Sequence, residues 1–259
     1  MQIILNADDF GFDDDTVAAT VECFEAGALT SATIMPRMPA TARAIEYARA
    51  NPRFSFGAHL TFVADTVERP FSAPADIPAL VRPDGRFIAS NDLRMRALRG
   101  KVPIEQIERE MAAQIQFLLD QGVRLSHVDS HGHLHKFKPF VEAMRRVLPR
   151  FGIRRVRTAQ DVYLRRPIKS PTYWLGGLWR RRIGRHFLTT DHLFVGNSPD
   201  DSRRLADGEL IALLSGETIE VGVHPGRAEA WRDAERKAAL SFASRAVSAG
   251  HTLVTWNGL

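Results

Sequence analysis

After Met1 the chain reads Gln2-Ile3-Ile4-Leu5-Asn6-Ala7-Asp8-Asp9-Phe10-Gly11, and the fold follows from it. Gln2–Asn6 is short, apolar and β-prone, which reads as a buried strand. It runs directly into two adjacent aspartates, which a core strand would not carry without a task. Asp13–Asp15 then offer caps for a helix through Val17, Val21 and Phe24 that ends at Gly27. A strand, a polar cluster at its carboxyl end and a helix make one βα unit.

The same unit recurs along the chain. Strands are predicted at Ser31–Met35, Phe54–Phe62, Val123–Asp129, Ile153–Arg157, His192–Val195, Ile219–Val223 and Thr252–Trp256. Helices are predicted from about Ala40 to Ala50, over Ile104–Leu118 with Gly122 as the stop, and over Pro139–Arg150, Asp201–Leu214 and Glu229–Ala249. Glu68–Arg86 is too polar and broken for core structure and reads as a long loop over one face. Residues 160–190 give no clean period. Seven or eight mostly parallel strands alternating with helices predict a single α/β domain over residues 1–259, a distorted (β/α) barrel. A chain of 259 residues fits one such barrel. No G-x-G-x-x-G follows the first strand and no P-loop is present, which removes the usual nucleotide-binding reading.

Composition narrows the class further. Hydrophobic residues make up 44% and charged residues 25%, ordinary values for a globular chain and incompatible with a disordered or collagen-like one. The lone cysteine, Cys23, excludes an internal disulfide framework and any cysteine-based metal cluster. The N-terminus has neither a basic flank nor an apolar core, so no signal peptide is expected. No apolar window is long enough to span a membrane, and the expected location is cytoplasmic. Charge is unevenly spread. Residues 143–190 hold thirteen Lys and Arg against Asp161 alone, a local +12 within a net charge of +5. Such a patch suits an anionic partner, and the competing reading is a solvated arginine-rich insertion at about 160–190.

In a barrel of this kind the chemistry gathers where strands end. Asp8 and Asp9 close the first strand and His59 lies in the third. His127, Asp129, His131, His133 and His135 follow Leu125, and His224-Pro225-Gly226 follows Ile219–Val223. Six of the nine histidines therefore fall at strand ends, whereas His186, His192 and His251 read as structural. Adjacent strand residues face opposite sides, so Asp8 and Asp9 are expected to divide two tasks, metal binding and proton handling. Two histidines and one carboxylate from different strands make a three-donor site with room for water, the catalytic arrangement for zinc and other divalent ions. The competing readings are helix-capping aspartates, an interior His59 and a turn residue at His224.

At these residues the chain resembles the YdjC-like carbohydrate deacetylases, which include chitooligosaccharide and hopanoid-biosynthesis deacetylases. The resemblance rests on Asn6–Gly11, Leu29–Thr33, Gly57–Leu60, His127–His135 and His224–Gly226, in order along most of the chain. It implies a fold like the polysaccharide deacetylase barrel, with one divalent ion, magnesium or zinc. It implies Asp9, His59 and His131 as metal ligands, Asp8 as catalytic base and His224 as general acid. His127, Asp129 and His133 are implied to lie close to the metal without assigned roles. The chain departs from the family at Thr158-Ala159-Gln160-Asp161 and Arg236-Lys237-Ala238-Ala239-Leu240, which leaves the particular sugar open.

The expected function is hydrolysis of an N-acetyl group on an amino sugar, within an oligosaccharide or glycolipid head group. A lipid- or phosphate-linked substrate would place Trp174 and Trp179 near a membrane surface and the arginines on phosphates. Nucleic acid is not expected as a partner. The alternatives are metal-assisted phosphoester hydrolysis and a non-catalytic barrel that binds anionic lipid or nucleic acid.

Overall fold

The computed structural model describes residues 1–64, 66–196 and 198–259. The chain begins with β1 (Gln2–Phe10) and continues through α1 (Asp14–Glu25), β2 (Ser31–Ile34), α2 (Thr41–Ala50), β3 (Ser55–Leu60), α3 (Ser90–Leu98) and α4 (Ile104–Asp120). Then come β4 (Leu125–Ser130), α5 (Lys138–Val147), α6 (Pro171–Gly184), β5 (His192–Val195), α7 (Pro199–Ala206), β6 (Thr218–Val223), α8 (Ala230–Ser248) and β7 (Thr252–Leu253). The strands are parallel in the order β4-β3-β2-β1-β6-β5, with β7 paired to the foot of β1. They form a curled sheet flanked by helices, the distorted barrel that the alternation of elements predicts.

Residue alternation decides what lies on each side of this sheet. Ile3, Leu5, Ala7, Ala32, Ile34, Phe56, Ala58, Leu60, Val128, Ile219, Val221 and Val223 join the apolar core shared with the helices. Their alternate neighbours are polar and buried: Asn6, Asp8, Ser31, Thr33, His59, His127, Asp129 and Glu220. The hydrophobic effect therefore builds the layer between sheet and helices, while the barrel interior is left to hydrogen bonds and ion pairs.

Capping follows the sequence at α1. Asp13 Oδ1 accepts from the Thr16 amide at 2.7 Å, and Thr16 Oγ1 accepts in return from the Asp13 amide at 3.1 Å. Gly27, at φ 71°, ends the element.

Several expectations change. Ile153–Arg157 is no regular strand, because its pairing divides between two neighbours: Val156 bridges Val128 of β4, and Arg155 bridges Leu188. A few residues on, Val162 donates to Leu193 of β5 at 3.2 Å, so this irregular segment spans the gap between β4 and β5. The 68–86 loop is not wholly polar, since Ile77 and Leu80 are fully buried. The predicted 201–214 helix stops at Ala206, and Gly208 (φ 83°) leads into a 3₁₀ turn at Glu209–Leu213. The last strand shrinks to Thr252–Leu253, and α3 and α6 are helices that the residue spacing does not predict.

At the foot of the barrel the His127 ring stacks on Trp256, with centroids 4.5 Å apart. Gly57 lies against the same ring, and a Cβ there would come within 2.6 Å of His127 Cε1. Gly57→Ala should therefore cost about 1–3 kcal/mol of stability by overpacking. Denaturant melts of the two proteins check this, and coincident curves would contradict the close approach.

Candidate functional site

β1 brings both aspartates to one place by breaking its own alternation. Ala7 pairs with Ala32 and Phe10 with Ile34, so β1 uses one residue more than β2 over the same span, and Asp9 sits in left-handed backbone at φ 59°. This corrects the expectation that Asp8 and Asp9 face opposite sides. Asp9 Oδ1 lies 2.9 Å from His131 Nδ1 and 3.3 Å from His59 Nε2, while Asp9 Oδ2 accepts from Arg232 Nη2 at 2.8 Å. Asp8 and His59 line a cavity of about 380 Å³ with His131, His133, His224 and Trp231. Arg94, also on its wall, donates to the Gly132 carbonyl and fixes the turn that carries His131 and His133.

A buried guanidinium organises the layer beneath. Arg157 donates to both oxygens of Asp8 at 2.6 Å, and to Glu220 Oε1 at 2.7 and 3.0 Å. Its Nη1 also lies 2.7 Å from Asp129 Oδ2. Burial alone would push Asp8 up, but Arg157 more than reverses it and holds the carboxyl well below the usual carboxylate range. Glu220 goes the other way: burial outweighs Arg157 and raises it to about 7.

His59 stands between two carboxylates, with Nδ1 2.7 Å from Asp129 Oδ1 and Nε2 toward Asp9. Burial opposes the charged form, yet Asp129 and Asp9 raise this imidazole to about 10. An imidazole flanked by acids on both nitrogens marks a place where positive charge is favoured. His224 is built similarly on the far wall. Its Nδ1 is 3.0 Å from Glu235 Oε2, its amide donates to the same oxygen at 2.7 Å, and its Nε2 is 3.8 Å from Asp8 Oδ2. Burial again opposes charging, and Glu235 overcomes it, raising His224 to about 9.

Two sets of donors are close enough to hold a cation: Asp9, His59 and His131, or Asp8, His59 and Asp129, each within 4.8 Å. The second set already holds one, because Arg157 Nη1 sits on both Asp8 and Asp129. The first set fits a divalent ion better. Donors on one ion, at bond lengths of about 2.0–2.2 Å, lie about 3.0–3.5 Å apart, close to the Asp9 separations. His59 also has the outer support such ligands carry, an Asp129 carboxylate on its other nitrogen.

The sequence profile of YdjC-like proteins matches residues 2–249. The chain belongs to the YdjC-like family. Relatives named carbohydrate deacetylase include one from Geobacillus stearothermophilus, 35% identical over 65% of this chain and 63% of its own length. Others come from Halalkalibacterium halodurans (33%, over 59% and 62%) and Brevibacillus brevis (32%, over 76% and 71%). The alignments thus span less than two thirds of the first two relatives. Among solved structures, a candidate cellobiose-phosphate cleavage protein from Enterococcus faecalis superposes with a TM-score of 0.77 at 23% identity, covering 99% of this chain and 98% of its own. A lactam utilization protein from Thermus thermophilus gives 0.52 at 16% identity, over 98% of this chain and all of that one. Both likenesses concern the fold.

Within this family member the remaining histidines separate by contact. His127 is held by Ser126 Oγ and Trp256 a layer below, and is no part of the cluster around Asp9. His135 is buried and tied to Ser130 Oγ. Asp129 is the outer support of His59, and His133 lines the cavity. Sequence reasoning missed four charged residues. Arg157 falls within the basic patch, in Ile153-Arg154-Arg155-Val156-Arg157, where the neighbouring arginines mask it. Glu220, a lone acid inside the apolar run Ile219–Val223, carried a signal. Arg232 and Glu235 carried none, since charges on a helix usually mark its wet face.

Elemental analysis of purified variants tests the donor set. Asp9→Asn, His59→Ala and His131→Ala should lose bound divalent metal, Asp129→Asn should weaken it about 10–100-fold, and Asp8→Asn should keep it. Full metal in the first three would remove the site.

Proposed function

We propose that this chain is a metal-dependent N-deacetylase that hydrolyses the N-acetyl group of an amino sugar. The observation that carries this reading is the division of labour across one cavity. Three donors suited to a cation lie on one side, an ionised Asp8 beside them, and a His224 that stays protonated near neutrality opposite. Pairs of titratable groups pushed apart in this way are how proteins separate an acid from a base. The names of the relatives support the same reaction for this chain.

Asp9, His59 and His131 would hold the ion, and two imidazoles with one carboxylate favour zinc over magnesium. When bound, a divalent ion supplies Lewis acidity to a carbonyl oxygen and to water. Asp8 takes the proton of the water that attacks the acetyl carbonyl. Arg157 and Asn6 fix its carboxylate for that role, and Arg157 keeps it ionised. His224, steadied by Glu235, gives its proton to the amine nitrogen as the C–N bond breaks, releasing acetate and the free amino sugar. His59 and His131 take no proton in this scheme.

The finer substrate reading is a sugar carried on a phosphate or lipid. An adjoining cavity of about 350 Å³ shares Arg94 and His133 with the first and adds Lys136, Tyr163, Tyr173 and Trp179. The Lys136 ammonium lies 4.7 Å from the Trp179 ring centre, and burial with Arg94's charge lowers its pKa to about 8. Among the described residues it has no carboxylate within 4 Å. Aromatic walls around a cation with no carboxylate partner suit a second ring bearing an anionic group.

Acetate release from N-acetylglucosamine conjugates, measured beside phosphate release from phosphoesters, separates this reading from phosphoester hydrolysis. Asp8→Asn should lose about 10²–10⁴ in kcat with metal retained, and near-normal turnover would refute the role. Because the acid form of His224 is the working one, kcat should hold below pH 9 and fall as pH rises through about 9. Glu235→Gln removes the group that raises His224 and should move this fall toward neutral pH. A limb that stays in place would disconnect His224 from the reaction.

A further inference from the structure

The arginine-rich segment does not divide as the sequence suggests. Trp179 is buried against Phe137 and beneath Lys136, Arg180 pairs with Asp161, and Arg157 belongs to the barrel interior. Buried Trp179 and Arg157 cannot meet a surface partner, which corrects the expectation that Trp179 lies at a membrane, and Arg180 already has an acid partner.

What remains outward is ordered. Trp174, Leu178 and Arg181 of α6, with Arg185 at its C-cap, follow at intervals of four, three and four, so they form one stripe along the helix. All four are exposed, Trp174 to 71% and Leu178 to 52%. Ile168, 60% exposed, adjoins the stripe, because its carbonyl accepts from Trp174 Nε1 at 3.0 Å. That bond satisfies the polar edge of the indole within the protein and leaves the apolar ring outward. Residues 162–190 contain seven Lys and Arg and no acid. Apart from Arg180, none of these makes an ion pair within 4 Å among the described residues, whereas Arg43, Arg146, Arg203 and Arg236 elsewhere do. The helix thus buries Ile183 and Trp179 inward and offers apolar side chains flanked by unpaired cations outward.

We propose that this α6 stripe, with Ile168 and the neighbouring Arg165, Arg166 and Lys169, is a docking surface for an anionic phospholipid bilayer. The combination decides the partner. Large apolar groups gain nothing from an aqueous phosphate or from a nucleic-acid backbone, but they enter the headgroup boundary while surrounding arginines meet lipid phosphates and carboxylates. Ser170 and Tyr173, four residues and one residue before Trp174, line the cavity that adjoins the candidate active site, so the stripe lies close in the chain to that cavity's wall. The proposal does not depend on which reaction the site performs.

Co-sedimentation of the full chain with vesicles tests it. Binding is expected to phosphatidylcholine vesicles containing about 30 mol% phosphatidylserine, little to pure phosphatidylcholine, and loss at about 0.5 M NaCl. The double variant Arg181→Glu/Arg185→Glu should weaken partition by roughly 100-fold or more, and Trp174→Ala/Leu178→Ala by roughly tenfold or more. Thermal melts of both variants, and their acetate release from a water-soluble substrate, should match the parent protein. The proposal is overturned if the parent protein ignores anionic vesicles at low salt. Equal binding by the Arg variant would also overturn it, as would binding of duplex DNA or RNA in preference to vesicles at the same salt.

Discussion

The guanidinium of Arg157, fully buried and shared by Asp8, Asp129 and Glu220, is the contact on which the barrel interior depends. One cation serves three carboxylates, and Asp9 and Glu235 add two more buried acids nearby. Burying charge in this way is unfavourable unless each group is paired. Arg232 answers Asp9, and His224 answers Glu235. Acids still outnumber fixed cations. The excess is what draws His59 toward its charged form, while burial, helped by the neighbouring acids, draws Glu220 toward its neutral one. The same excess makes the space beside Asp9 and His131 attractive to a divalent ion.

A second constraint is geometric. The extra residue in β1 and the left-handed backbone at Asp9 turn both neighbouring carboxylates to the barrel interior, Asp8 onto the cavity wall and Asp9 behind His59 and His131, where a regular strand would send one into the helix layer. Such backbone costs of order 1 kcal/mol or more in a non-glycine residue. The contacts of Asp9 with Arg232, His131 and His59 offset it. Strain held at a strand end by charge pairing is a common mark of a functional site.

Legibility in the sequence followed the physics of each element. β1, α1 and α4 were readable because apolar spacing reports burial, and Ile107, Met111, Ile115 and Leu118 are all fully buried. α3 was invisible, since only Leu93 and Ala97 of its nine residues are buried. α6 was unreadable for the opposite reason: its outward stripe carries Trp174 and Leu178 while its inward face includes Gly176, so the usual apolar-inside pattern is blurred. At the site, clustering of Asp9, His59 and His131 at strand ends could be read from where the strands stop. Their meeting depends on the β1 irregularity, which no local signal announced. Arg157, Arg232 and Glu235 were hidden because a charged side chain looks alike in sequence whether it faces water or a buried acid.

X-ray absorption at the zinc edge of the zinc-loaded protein reports the atoms around the ion itself, and so whether Asp9, His59 and His131 meet on one cation. The expected spectrum is a light-atom shell with multiple scattering from two imidazoles, reduced to that of one imidazole in any zinc retained by His131→Ala. A shell of oxygens without imidazole scattering, or a spectrum unchanged by that substitution, would contradict that arrangement.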